Sequence, residues 1–90
     1  MKIEREVTVV NKLGLHARAS AQLVKLAGTY ASDIRLTLGK QSVDGKNIMG
    51  LMMLAATCGS RITVTAEGED AGQAIEKIDA LFSNRFGELE

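Results

Sequence analysis

The hydrophobic period of this 90-residue chain switches repeatedly between two residues and about 3.6, and the order of the switches limits the possible folds. Alternating apolar and polar side chains predict strands in residues 3–9, 34–38 and 62–66, and Gly39-Lys40 favours a hairpin into a short strand near Val43. Helical spacing covers residues 17–27, 48–54 and 71–82. Strands with one polar face are typical of an antiparallel sheet whose helices cover one side. The predicted fold is therefore an α+β two-layer sandwich with the order β-α-β-β-α-β-α.

Polar residues mark where two of these helices begin. Asn47 is a good N-cap for the short helix 48–54. Asp70 with Gln73 resembles a capping box at the start of the last helix. Cys58-Gly59-Ser60 is expected to break the short helix before the next strand.

Composition excludes several classes of function. Eleven basic and 11 acidic side chains balance, and aromatic residues make up 3%, so the chain lacks the basic surface and the stacking side chains of a nucleic-acid-binding protein. No apolar run has bilayer length, and the charged residues 1–6 do not resemble a signal peptide. We therefore expect no membrane insertion. A lone Cys58 and no linker predict one domain over 1–90, without a disulfide, in the cytoplasm.

Metal and acid–base catalysis are poorly supported. One histidine and one cysteine cannot supply the three or four ligands that zinc usually takes, and they leave few ways to pair a base with an orienting group. Glu67, Glu69 and Asp70 lie beside a turn and a helix start, where solvation and helix-end charge explain them, so we assign them no catalytic role. No metal and no cofactor are expected.

His16, the only histidine, lies where an extended segment gives way to the helix 17–27. A neutral imidazole is nucleophilic, and a helix start offers unpaired N–H groups at the positive end of the peptide dipoles. Gly14 lets the chain bend closely before the helix, and the guanidinium of Arg18 lies within reach of phosphate oxygens. This combination favours a phosphoryl acceptor, while a plain helix cap is the alternative.

Two segments carry a resemblance to a known family. Residues 13–20, Leu-Gly-Leu-His-Ala-Arg-Ala-Ser, and residues 46–54, Lys-Asn-Ile-Met-Gly-Leu-Met-Met-Leu, resemble HPr, the histidine-containing phosphocarrier of the phosphoenolpyruvate-dependent phosphotransferase system. The likeness covers nearly the whole chain. It implies an open-faced β-sandwich, in which three helices cover one face of a four-stranded antiparallel sheet. It also implies a carrier rather than a stand-alone enzyme, in which His16 is phosphorylated transiently on Nδ1 and is assisted by Arg18 and by the backbone amides of Ala17 and Arg18.

The same resemblance implies partners: enzyme I as the phosphoryl donor and an enzyme IIA of sugar uptake or its regulation as the acceptor. The helix 48–54 has more apolar side chains than one face can bury, and Leu51 and Leu54 suit the core. Some of the others should therefore be exposed for docking, and core filling is the alternative for any one of them. The expected contact residues are Ala17, Ala21, Lys25, Ile48, Met49, Met52 and Met53. An ordinary solvated lysine is the alternative for Lys25, and a monomer is expected.

Two positions depart from the family pattern. Ala19 stands where the family usually has proline, which should leave the helix intact with a less rigid first turn. Asn47 stands where the family has its regulatory serine, and an amide caps a helix but has no hydroxyl to phosphorylate. No regulatory phosphosite is therefore expected at position 47. Two other functions remain open: the same carrier in a nitrogen-related regulatory branch, and a non-catalytic α+β interaction module.

Overall fold

The computed structural model describes residues 1–90 and contains four strands and three α-helices in the predicted order. The strands are β1 (Lys2–Thr8), β2 (Asp33–Leu38), β3 (Gln41–Asp44) and β4 (Arg61–Glu67). The helices are α1 (Ala17–Ala27), α2 (Ile48–Leu54) and α3 (Ala71–Ser83), and a 3-10 turn over Arg85–Gly87 follows α3. None of the helices has the length and apolarity needed to cross a bilayer.

The strands form one antiparallel sheet in the order β1-β4-β2-β3. Val64 of β4 lies opposite Arg5 of β1 on one side and Leu36 of β2 on the other. Alternate residues of β4, namely Ile62, Val64 and Ala66, are fully buried beneath the helices, and the residues between them are partly exposed. The sheet thus has one covered and one open face, and the predicted open-faced sandwich is confirmed.

One hydrophobic core joins the covered face of the sheet to all three helices. Leu23 of α1, Leu51 of α2 and Ile78 of α3 are each 0% exposed. Burial of one such side chain contributes about 1.5–3 kcal/mol. This shared core holds the two short loops that start α1 and α2 in a defined position relative to the sheet.

The predicted capping box at the start of α3 is wrong. Asp70 occupies the N-cap position but makes no side-chain cap hydrogen bond. Its carboxylate instead accepts hydrogen bonds from the Ser32 hydroxyl and from the backbone N–H groups of Ala31 and Ser32. These donors, the Ser32 hydroxyl first, lower the pKa of Asp70 below its ordinary value. The carboxylate of Asp70 therefore binds the loop before β2 instead of capping α3.

The helix α2 ends at Leu54 as predicted, but by a different residue than expected. The helix ends where Ala55 adopts a left-handed conformation with φ 52°, ahead of the Cys58-Gly59-Ser60 segment that was expected to break it. Ala55 donates its N–H to the carbonyl of Met52 at 3.1 Å, so the reversal is hydrogen-bonded. Cys58 then lies exposed in the following turn.

Candidate functional site

The chain enters α1 through a tight passage at Gly14. This residue has φ +68°, and a Cβ atom there would lie 2.4 Å from the carbonyl oxygen of Ala56. The N–H of the next residue, Leu15, donates to the same carbonyl at 2.9 Å. Only glycine satisfies both the left-handed backbone and the close approach. This backbone path sets the direction in which the chain enters α1 at His16.

His16 occupies the N-cap of α1, with an extended backbone at φ −70° and ψ 178°, but its side chain does not cap the helix. The ring turns toward the C-terminal tail, where Nε2 forms a hydrogen bond with Oε2 of Glu88. The first turn of α1 contains no acidic side chain. Because the first amides of a helix have no intrahelical acceptor, those of Ala17 and Arg18 are available to an anion. The plain-cap alternative for His16 is wrong.

Arg18 is exposed beside His16 on a shallow surface depression of about 330 Å³. Lys12, Leu13, His16, Arg18, Glu88 and Glu90 line this depression. The guanidinium of Arg18 is in none of the salt bridges of the structure. A permanently charged, unpaired guanidinium next to free helix amides makes this surface suited to a phosphate group.

Glu88 is the site residue that sequence reasoning missed. It lies 72 positions from His16 in the chain, and the Glu88 and His16 side chains are 19% and 27% exposed. Asn11, which is completely buried, donates from Nδ2 to Oε1 of Glu88 at 3.1 Å and to the carbonyl of Gly14 at 2.8 Å. The hydrogen bonds from His16 and then Asn11 lower the pKa of Glu88 below its ordinary value. No local pattern signals a pairing over such a distance.

The tail reaches His16 through a strained turn. Arg85, Phe86 and Gly87 have φ values of +55°, +54° and +77°, and a left-handed non-glycine residue costs about 1–2 kcal/mol. Burial of Phe86, whose ring meets Phe82 edge-on at a centroid distance of 4.9 Å, offsets this cost. Glu88 therefore follows a segment that is anchored in the core.

The tail is also held beyond Glu88. The backbone N–H of Lys12 donates to the backbone oxygen of Glu90 at 2.9 Å. The two side chains form an exposed ion pair of 3.4 Å between Lys12 Nζ and Glu90 Oε2. Glu88 is thus fixed between a buried aromatic ring and a backbone hydrogen bond.

The second predicted segment forms a surface that we call the α2 patch, consisting of Ile48, Met49, Met52 and Met53. These side chains are 37%, 64%, 42% and 73% exposed, whereas Leu51 and Leu54 are buried as predicted. The N-terminus of α2 is capped by Asn47, whose Oδ1 accepts from the N–H groups of Met49 at 3.0 Å and Gly50 at 3.2 Å. The helix therefore offers a partner apolar side chains rather than free amides.

The remaining predicted contact residues lie on α1. Ala17, Ala21 and Lys25 are all exposed, and α1 packs against α2. Lys25, however, lines a different depression, between α1 and α3, together with Leu81. The structure does not bring Lys25 to the depression that contains His16.

The rest of the surface lacks the combination of groups found around His16. A larger depression of about 410 Å³ lies on the open face of the sheet, lined by Lys2, Asp33, Ile34, Arg35, Asp44, Thr65 and Glu67. Its charges are of both signs, and it contains neither a histidine nor a cysteine. No three His, Cys, Asp or Glu side chains are grouped so that they could hold a metal ion.

Comparison with known proteins identifies the family of this chain. Residues 3–84 match the family described as "PTS HPr component phosphorylation site". The chain is 49% identical over 88 residues to phosphocarrier protein HPr of Cupriavidus necator, covering 98% of this chain and 99% of that protein. It is 40% identical over 87 residues to phosphocarrier protein NPr of Shewanella violacea, covering 97% of this chain and 96% of the relative.

Solved structures give the same result. A crystal structure of HPr from Thermoanaerobacter tengcongensis superposes with a TM-score of 0.94 at 35% identity and covers 98% of this chain and 99% of that one. A dimeric HPr from the same organism superposes with a TM-score of 0.78 at 36% identity, covering 91% and 94% of the two chains. The chain belongs to the HPr family, the phosphocarrier proteins of the phosphotransferase system.

Proposed function

We propose that His16 is the residue through which this phosphocarrier passes its phosphoryl group, and that Nδ1 is the atom that bonds to phosphorus. The observation that carries the proposal is the position of the ring at an uncapped helix start, with Nε2 engaged by Glu88 and the Arg18 guanidinium unpaired. A neutral imidazole has one N–H, so engagement of Nε2–H leaves the Nδ1 lone pair as the nucleophile.

Transfer needs little covalent machinery from this chain. The Nδ1 lone pair forms the bond to phosphorus while the bond from phosphorus to the donor atom breaks, and its electron pair leaves with the donor. The amides of Ala17 and Arg18 and the Arg18 guanidinium offset the charge on the phosphoryl oxygens. Such transfers depend mainly on positioning and charge stabilisation, so a shallow site suffices when the partner closes over it.

Enzyme I is the donor in this proposal and an enzyme IIA is the acceptor, and both dock on the same surface in turn. The exposed methionines support this role, because their flexible side chains adapt to differently shaped partners. The docking surface consists of the α2 patch with Ala17 and Ala21 of α1. Lys25 is proposed as a separate basic contact on α1, where an ammonium group would meet an acidic partner.

Residues 1–90 act in this proposal as one domain and as a monomer in the cytoplasm, without a metal, cofactor, nucleic acid or membrane anchor. The balanced charge supports the absence of a nucleic-acid partner. The carrier lacks the regulatory phosphosite of its family, because Asn47 has no hydroxyl. Sedimentation of the unphosphorylated chain tests the monomer directly.

A nitrogen-related regulatory branch is the second candidate. The 40% identity to an NPr protein favours it, although the identity to an HPr protein is higher. Transfer rates from the phosphorylated chain to an enzyme IIA of each branch separate the two, since the physiological acceptor should be served faster.

The central experiment is incubation of the chain with enzyme I and phosphoenolpyruvate. We expect one acid-labile phosphate per chain, and none in His16→Ala. A matched control is Arg18→Ala, which keeps the nucleophile and should slow the transfer by about 10- to 100-fold, the range for hydrogen bonds to charged groups. Undiminished labelling of His16→Ala, or no labelling of the unaltered chain, would contradict the proposal.

A further inference from the structure

We propose that Glu88, held by Asn11, is a positioning residue that selects the tautomer of His16 and keeps its proton on Nε2 throughout the transfer. The inference rests on the proposed function of His16. It concerns two residues that lie outside both sequence segments that resemble the family and that are remote in sequence from each other.

The hydrogen-bonding capacity of the groups dictates the direction of the contact. An ionised carboxylate only accepts hydrogen bonds, so Oε2 of Glu88 requires a hydrogen on Nε2 of His16. Asn11 Nδ2 donates to the other oxygen, Oε1, at 3.1 Å, and this leaves Oε2 directed at the ring. A neutral ring with hydrogen on Nε2 has its lone pair on Nδ1, where phosphorus must bond.

The same contact serves both halves of the cycle. When Nδ1 bonds to phosphorus, the Nε2 proton stays in place and the ring gains positive charge, which the carboxylate of Glu88 stabilises. When the phosphoryl group moves on, the N–P bond breaks with its electron pair returning to Nδ1. The ring then leaves as neutral imidazole, because Nε2 never lost its proton, and a neutral leaving group is better than an imidazolate anion.

The surrounding fold is built to hold this carboxylate. Two consecutive left-handed non-glycine residues, Arg85 and Phe86, redirect the chain after α3, and such strain persists only where the surroundings enforce it. Phe86 is 2% exposed in the core, and the backbone of Glu90 accepts from Lys12. Asn11 is 0% exposed, so the amide group that orients the Glu88 carboxylate lies inside the protein and cannot turn toward solvent.

Glu88→Gln gives a sharp test because Asn11 determines how the new amide turns. Asn11 donates, so the amide oxygen would face it and the amide NH₂ would face His16 as a donor. The ring would then accept at Nε2 and carry its hydrogen on Nδ1, which removes the nucleophile. Glu88→Asp keeps an acceptor-only carboxylate and should retain the original tautomer.

The tautomer is measured by ¹⁵N NMR of the His16 ring in the folded, unphosphorylated chain, under conditions where the ring is neutral. We expect the Nε2–H form to predominate in the unaltered chain and in Glu88→Asp, and the ratio to shift by about tenfold or more toward Nδ1–H in Glu88→Gln. Phosphorylation by enzyme I should slow by about the same factor in Glu88→Gln. Glu69→Gln is the matched control, since it removes an exposed carboxylate elsewhere and should change neither measurement.

Two results would overturn the inference. One is an unchanged tautomer ratio in Glu88→Gln, whatever happens to the rate, because a slower rate alone would mean that Glu88 acts through docking or folding. The other is a tautomer change without a slower phosphorylation. The NMR measurement needs no phosphate, so it remains informative even if labelling shows that His16 is not the acceptor.

Discussion

The helices α1 and α2 begin in the same way and use their N-termini in opposite ways. Each follows an extended N-cap residue, His16 or Asn47, with a glycine two positions earlier at which a Cβ atom would collide with the structure. Asn47 turns its oxygen onto the amides of α2, whereas His16 turns its ring away to Glu88. The amides of α1 therefore stay free for an anion. An open helix start thus depends on a distant partner that draws the N-cap side chain away.

The largest expected effect on stability is at the entrance to α1. Gly14→Ala combines a left-handed backbone with a Cβ atom 2.4 Å from the Ala56 carbonyl oxygen, so we expect a loss of about 2–4 kcal/mol in the free energy of unfolding. Gly39→Ala is the control, because Gly39 also has a left-handed backbone, with φ +61°, but a Cβ atom there would have no neighbour within 4 Å. It should therefore show only the loss of stability that comes from the backbone conformation. Urea denaturation measures both. Equal losses would mean that the close approach at Gly14 does not constrain the helix start.

The next effect concerns how α2 is used. Changing both Met49 and Met53 to Gln should weaken binding to enzyme I by about tenfold, as expected for the loss of interface side chains, while stability stays within about 0.5 kcal/mol. Calorimetric titration measures the affinity, and thermal unfolding serves as the control. Unchanged affinity would show that docking does not use the α2 patch. The difference between a helix start with free amides and one with exposed apolar side chains would then have no role in binding.

Removing the cap of α2 should have a smaller effect. Asn47→Ala loses the hydrogen bonds to Met49 and Gly50, which costs about 1 kcal/mol of stability, whereas Asn47→Ser retains a cap and should cost little. Neither variant should change how fast the chain is phosphorylated, because the amides that serve the phosphoryl group belong to α1. Denaturation and labelling assays on the same samples test both statements. A slower phosphorylation of Asn47→Ala would mean that the start of α2 influences the reaction at the start of α1.

The smallest expected effect is a response to acid that only α1 should show. The pKa of Glu88 lies below its ordinary value of 4.5, since His16 and Asn11 hydrogen-bond its ionised form. The contribution of these hydrogen bonds to the free energy of unfolding is therefore present when the pH is above that ordinary value. It is lost as the pH falls through the lowered pKa of Glu88 in the folded state. Asn47 has no titratable group, so its cap should persist.

NMR chemical shifts measure this acid response site by site. Between about pH 6 and pH 2 we expect the side-chain carboxyl signal of Glu88 to report protonation of that group, and the amide signals of Met49 and Gly50 to remain steady. Local signals are needed because the pKa of Asp70 is lowered in the same sense and also affects global stability. Parallel changes at both helix starts would contradict the comparison.

Much of the fold was predictable because the signals are local. The bounds predicted for α1 and α2 agree with the structure, and the apolar count of α2 predicted that some of its side chains would be exposed, as its methionines are. The cap at Asn47 was equally predictable, since its amide partners are two and three residues away. The same reasoning was wrong for Asp70, whose carboxylate is taken by Ser32, 38 residues earlier.

The order of elements, the face that each strand buries and the position of His16 and Arg18 at a helix start can all be predicted from local sequence, because hydrophobic period and turn residues act over a few positions. The direction of the His16 ring is set by long-range packing. That orientation depends on Glu88 and Asn11, which lie 77 residues apart and meet because a left-handed turn at Arg85–Gly87 sends the tail back across the entrance to α1. Periodicity carries no information about such a meeting, so the phosphoryl-accepting residue could be predicted while its orienting partner could not.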